Sequence, residues 1–199
     1  MSSRFRLCAL IFASIAAPAV GFAQPAPSAE VRMNELGSEN ARLAQRIGTY
    51  DVVLTSWSAP GAEPTTIRAV AERTTVGSIL QEVITFPPGP PGSDFRRIDY
   101  LSFNRVEGRW KYVSMDARFP VGIMWATSFG RGQDGRFTVV FEPFALAGPG
   151  AGVTGQMVSM DQAVIELDAD HDAKEQRFML ADGTGVMWLA NRYAYTRRR

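Results

Sequence analysis

Residues 98–115, IDYLSFNRVEGRWKYVSM, constrain the fold of this chain more than any other stretch. Two aromatic-rich runs, 98–103 and 109–115, flank a polar joint of Asn104, Arg105, Val106, Glu107 and Gly108. Tyr100, Leu101, Phe103, Trp110, Tyr112 and Val113 are bulky or β-branched residues that suit a pleated, half-buried surface. Gly108 accepts the positive φ that a reversing loop requires, so the stretch reads as an antiparallel hairpin.

The rest of the chain repeats this grammar. Strand-like runs occupy residues 50–57, 65–76, 79–86, 122–131, 136–142, 156–160, 163–168, 175–180 and 185–197. Gly77-Ser78, Gly132-Gln133-Asp134-Gly135 and Asp182-Gly183 supply turns between them. The PPGPPG segment at 87–92 removes backbone donors and excludes a central strand, and the Pro/Gly-rich stretch 145–155 reads as a loop. A short helix is expected over 38–47: Ser38 stands as N-cap, Leu43 and Ile47 fall one turn apart, and Gly48 stops it. About ten short strands at near-regular spacing indicate an all-β domain. The helix laid across one end favours a single closed antiparallel barrel, with 185–197 closing against 50–57.

Arg4 and Arg6, the apolar run 7–20 and the small residues Gly21 and Ala23 make the pattern of a secretory signal peptide, residues 1–23. The run is too short for a membrane span, and Pro18 interrupts it. Residues 24–34, rich in Pro, Ala and Ser, read as a disordered leader, and 35–199 as the barrel domain. Cleavage after Ala23 leaves 176 residues, moves the formal charge from +1 to −1 and removes Cys8, the single cysteine. A near-neutral domain carries no electrostatic footprint for nucleic acid. The expected compartment is periplasmic or secreted, with no membrane span in the mature chain. Arg197, Arg198 and Arg199 read as a solvated tail.

The segment 43–52, LAQRIGTYDV, resembles the helix followed by Gly-x-aromatic that opens lipocalin-like proteins. With Leu80-Gln81-Glu82, Phe103-Asn104, Trp110-Lys111-Tyr112-Val113, Gly122-Ile123-Met124 and the ending Tyr193-Ala194-Tyr195-Thr196-Arg197, the chain resembles a bacterial family of exported domains. Those domains have a lipocalin-like, calycin-type barrel and no settled activity. The resemblance implies a fold, a compartment and, by fold analogy, ligand binding. Lipocalins usually have Trp at the position of Tyr50. Met115-Asp116-Ala117-Arg118 replaces an expected Trp-x-Asp, so no role of that tryptophan carries over.

The single histidine, His171, sits among Asp168, Asp170 and Asp172, whose spacing matches the start of a calcium loop. Ala173 stands where that loop needs Gly and Met179 where it needs Glu, so the segment reads as a solvated turn and no metal site is expected. The mature chain lacks Cys and Gly-x-Ser-x-Gly, which removes the usual nucleophile arrangements. The glycine-rich stretch 148–155 lacks both Rossmann and Walker spacing, and no cofactor is expected.

Charged residues on apolar strand faces carry more information. Glu82 alternates with Leu80, Ile84 and Phe86; Asp116 shares a face with Trp110 and Tyr112; Arg192 falls in step with Trp188. A charge facing a barrel interior must be paired or hydrogen-bonded, so these groups read either as ion pairs closing the barrel or as anchors for a ligand head group. The candidate ligand-binding set is Glu82, Tyr112, Asp116, Trp125, Trp188 and Arg192, with Met124 and Met187 as apolar neighbours. Alternation allows only one of Met124 and Trp125 to face inward, and Trp125 is the choice. The expected function is binding of a small, mostly apolar molecule. The alternatives are a cofactor-free barrel enzyme using Glu82 or Asp116 with Tyr100 or Tyr112, and a filled barrel serving structure or protein interaction.

Overall fold

The computed structural model describes residues 28–88, 95–119, 121–146 and 156–199. The elements are α1 (Ala29–Asn34), α2 (Gly37–Ala44), β1 (Gly48–Ser56), β2 (Thr65–Val76), β3 (Ile79–Thr85), β4 (Arg96–Asn104), β5 (Arg109–Asp116), β6 (Ile123–Ser128), β7 (Arg136–Phe141), β8 (Phe144–Leu146), β9 (Gln156–Glu166), β10 (His171–Leu180) and β11 (Met187–Arg197). Residues 1–23, expected as a signal peptide, lie outside the described residues. Within the expected leader, Ala29–Asn34 forms a helix, because Ser28 caps it by accepting from the Val31 amide at 3.2 Å.

β1 to β7 and β9 to β11 form a closed ten-strand antiparallel barrel. As the hydrophobic alternation predicts, β11 closes on β1, with Val52 opposite Tyr195 and Leu54 opposite Tyr193. The hairpin of β4 and β5 pairs Phe103 with Trp110 and Asp99 with Ser114, and Gly108 turns it at φ +69°. β9 is one unbroken strand where two runs are expected. Its first half pairs with β8 and its second with β7, so β8 continues the path of β7 along the same neighbour. Ala145 and Leu146, expected in a loop, belong to β8, while residues 148–155 lie outside the described residues.

α2 is shorter than expected and starts earlier. Leu36 is the N-cap, and Ser38 donates instead to Glu39 at 3.0 Å. Leu43 is buried against Leu80, Leu101 and Phe103, whereas Ile47 is exposed past the helix end. Asn40, also buried, holds the helix across the barrel end by donating to the Phe103 carbonyl at 3.0 Å and accepting from its amide at 2.8 Å. The C-terminal arginines are not a free tail: Arg197 donates to the Gln45 and Ile47 carbonyls, Arg198 to Asp51 and Arg199 to Asp170. No helix among the described residues is long and apolar enough to cross a membrane.

Candidate functional site

Three layers stack along the barrel axis, and the alternation of each strand sets them. On β4 the inward residues run Phe103, Leu101, Asp99, Arg97, from the α2 end towards the other. On β10 they run Asp172, Lys174, Gln176, Phe178 and Leu180. The α2 end is apolar, with Trp110 stacked on Phe137 at 4.1 Å and 10°. The waist is ionic. The opposite end holds a cavity of about 530 Å³.

In the waist, Glu82 accepts from Lys174 at 2.5 Å, Arg73 at 2.6 Å and the Tyr195 hydroxyl at 3.1 Å. Asp99 accepts from Ser114 at 2.6 Å, Tyr112 at 2.5 Å, Arg97 Nε at 2.9 Å and Lys174 at 2.9 Å. Arg73 reaches on to Asp172 at 2.5 Å, and its guanidinium sits in the corner between the Tyr50 and Tyr195 rings, which stand edge to face, at 4.2 and 4.6 Å from their centres. Three cations (Arg73, Arg97, Lys174) thus balance three carboxylates (Glu82, Asp99, Asp172), all buried.

Burial pushes the Glu82 and Asp99 carboxyls upward, but Lys174 and Arg73 around the first, and Arg97 and Lys174 around the second, hold both below the ordinary range. Burial likewise works against the Lys174 charge, and Asp99 and Glu82 overcome it, leaving the ammonium well above its ordinary value. Burial and then Asp99 raise the Tyr112 phenol. The waist therefore keeps fixed charges and neutral phenols through the neutral range. A void of only about 30 Å³, one water in size, adjoins it beneath α2.

The cavity is walled by Leu54, Met124, Met160, Phe144, Phe178 and Trp188 and floored by Arg97, Gln176 and Tyr193. Arg97 donates to the Tyr193 hydroxyl at 3.0 Å, and Gln176 donates to the Gln162 side-chain carbonyl oxygen at 2.8 Å while accepting from Asn191 at 2.9 Å. To one side, Arg118 clamps Asp116 through Nε at 2.9 Å and Nη2 at 2.7 Å, with its guanidinium 3.6 Å over the centre of the Phe86 ring.

The expected site residues divide accordingly. Glu82 and Tyr112 face inward but lie in the waist, bonded to protein partners. Asp116 and Trp188 line the cavity, Trp188 donating to the Trp57 carbonyl at 3.2 Å. Trp125 does not: it is 53% exposed on the outer wall, and its neighbour Met124 is the inward residue. Arg192 is also outside, 4.0 Å from Glu175. The cause is a β-bulge: Gln176 pairs with Asn191 and Arg177 with Leu189, so Ala190 is the extra residue and the alternation shifts beyond it. Met187, before the bulge, is exposed. Tyr100 faces outward and accepts from Gln81 at 2.9 Å.

Arg73, Arg97, Asp99, Lys174, Gln176 and Tyr193 are among the inward groups not expected from the sequence. Arg97 and Asp99 share the period-two face of Leu101 and Phe103, the one sequence signal of their burial. His171 is exposed at the start of β10, 2.9 Å from Asp168, and among the described residues no cluster of acidic, His or Cys side chains could hold a metal ion.

Fold and site together define a closed antiparallel barrel, capped by a helix at one end and hollow at the other. No protein-family model matches the chain, and no curated protein matches it. Among solved structures it is similar to the crystal structure of Rv2717c from M. tuberculosis, with a TM-score of 0.54 and 14% identity over 83% of this chain and 100% of that one. At that identity the likeness shows a shared barrel fold.

Proposed function

We propose that this chain is an exported, lipocalin-like binding module that takes a small, mostly apolar molecule into the hollow end of its barrel. The observation that carries the reading is the cavity itself: about 530 Å³ with apolar walls and a few polar groups converging at its floor. Such a shape lets buried area supply affinity while the polar groups orient the ligand. The cavity also weighs against a filled barrel. The enzyme alternative loses support from the pairing of its carboxylates, since Glu82 is held by Lys174 and Arg73, and Asp116 by Arg118.

Binding is tested with the neutral apolar dye N-phenyl-1-naphthylamine, whose emission rises in apolar surroundings. Saturable enhancement is expected with the wild-type protein. It should be lost in Ala190→Phe, which places a ring in the cavity where Ala190 is buried. No enhancement with folded wild-type protein would refute the reading. Export is tested separately by N-terminal sequencing of protein from the periplasm or medium, which should start at Gln24 or within a residue or two of it. An intact Met1 or Ser2 would refute it.

A further inference from the structure

The charges facing the cavity are already matched within the protein. Arg97 is neutralised by Asp99 behind it, and Arg118 by a two-pronged contact with Asp116. The remaining charged residue on the described lining is Glu63, acidic and exposed at the mouth. A carboxylate entering this space would bring an uncompensated charge into an apolar cavity and meet Asp116 and Glu63 there. A cation would find Asp116 already occupied by Arg118. Either charge would lose its hydration without gaining a partner.

One hydrogen is left over. The Tyr193 oxygen accepts from Arg97 at 3.0 Å, yet among the described residues the hydroxyl donates to no protein group. Tyr193 is 2% exposed and lies on the cavity floor. A buried hydroxyl that accepts from a guanidinium is polarised into a stronger donor, and leaving its proton unmatched is costly. Resting on the binding reading above, we infer that the ligand is an uncharged apolar molecule carrying one hydrogen-bond acceptor, such as a ketone, ester, amide or alcohol oxygen, which the Tyr193 hydroxyl engages.

The test displaces the bound dye at neutral pH with a matched series of heptan-2-one, heptanoate, heptylamine and heptane. Heptan-2-one should displace it at the lowest concentration. In Tyr193→Phe, the advantage of the ketone over heptane should fall by about three- to ten-fold, the worth of one hydrogen bond, with heptane unchanged. Heptanoate or heptylamine matching or beating the ketone overturns the inference, as does a ketone advantage that survives Tyr193→Phe. If Tyr193→Phe does not fold, the wild-type ranking decides alone. Failure of the dye to bind wild-type protein removes the binding reading itself, whereas dye binding with the wrong ranking removes only this inference.

Discussion

Lys174 Nζ lies 2.5 Å from Glu82 Oε1, joining two strands 92 residues apart in sequence, and both side chains are nearly shut off from solvent. The same ammonium meets Asp99 at 2.9 Å, so one cation bridges two carboxylates. Lys174→Met should destabilise the fold by about 3–5 kcal/mol, because it leaves buried charge uncompensated. The double variant Lys174→Met with Glu82→Met should recover part of that loss, since Arg73 retains Asp172 and Asp99 retains Arg97. Urea unfolding of the two variants checks both statements.

Stability should form a plateau in pH with two edges. Glu82 and Asp99 are held below their ordinary values, 4.5 and 3.8, so the unfolded chain binds more protons than the native one below about pH 5. Their contribution is therefore complete above that range and lost as pH falls through it. Lys174 is held above its ordinary 10.5, and Tyr112 and Tyr195 above their ordinary 10.0. The unfolded chain releases those protons first, so stability declines as pH rises past about 10. Midpoints of urea unfolding across the pH range should be flat between the two edges, and a continuous slope through neutrality would contradict the fixed-charge waist.

Legibility followed the alternation. β2 and the β4–β5 hairpin were readable as strands from their β-branched and aromatic runs between glycine turns. Their buried charges Arg73, Arg97 and Asp99 were not, because arginines also stand on the outer faces of β2 and β4. Glu82 was readable because Leu80, Ile84 and Phe86 flank it on its own face. Trp125 was misplaced because the outer wall of β6 is itself apolar: Ile123 and Trp125 are exposed, and Met124 between them is buried, so hydrophobicity does not mark the parity. Arg192 was misplaced because no residue type announces the bulge at Ala190. Lys174 was hidden because the acidic residues before it suggest a turn, whereas β10 begins at His171 and Asp172 points inward to meet Arg73.

Asn40 performs at the capped end what no apolar residue could. Its side chain satisfies both the amide and the carbonyl of Phe103, and it is 4% exposed. Asn40→Ala should cost about 1–3 kcal/mol, the penalty of leaving buried backbone groups unmatched. Thermal unfolding would register the loss, and hydrogen exchange at the Phe103 amide should accelerate more than at the Asp99 amide.

The turn before β7 has a glycine that tolerates no replacement. Gly132 holds φ +78°, and a Cβ there would come within 2.3 Å of the Arg136 carbonyl oxygen. Gly132→Ala should cost at least about 2 kcal/mol, because backbone must move. Gly77→Ala, at φ +61° in open space, should cost only about 1 kcal/mol, the conformational penalty alone. Equal losses in the two variants by urea unfolding would show that the close approach at Gly132 relaxes freely.

The tryptophans at the hollow end and on the outer wall separate a cavity ligand from a surface one. Trp188 lines the cavity, with Phe178 edge-on to it at 5.9 Å, and Trp125 is exposed on the outside. A ligand entering the cavity displaces water from the indole of Trp188 and leaves that of Trp125 untouched. Trp57 also lines the cavity, so Trp125→Phe should keep the ligand-induced change in tryptophan emission, and the double variant Trp57→Phe with Trp188→Phe should lose most of it. The probe is heptan-2-one in saturating amount, and binding of the naphthylamine dye confirms that each variant keeps its cavity. The reverse pattern, with the response carried by Trp125, would place the ligand on the outer face of β6 and empty the cavity of its proposed role.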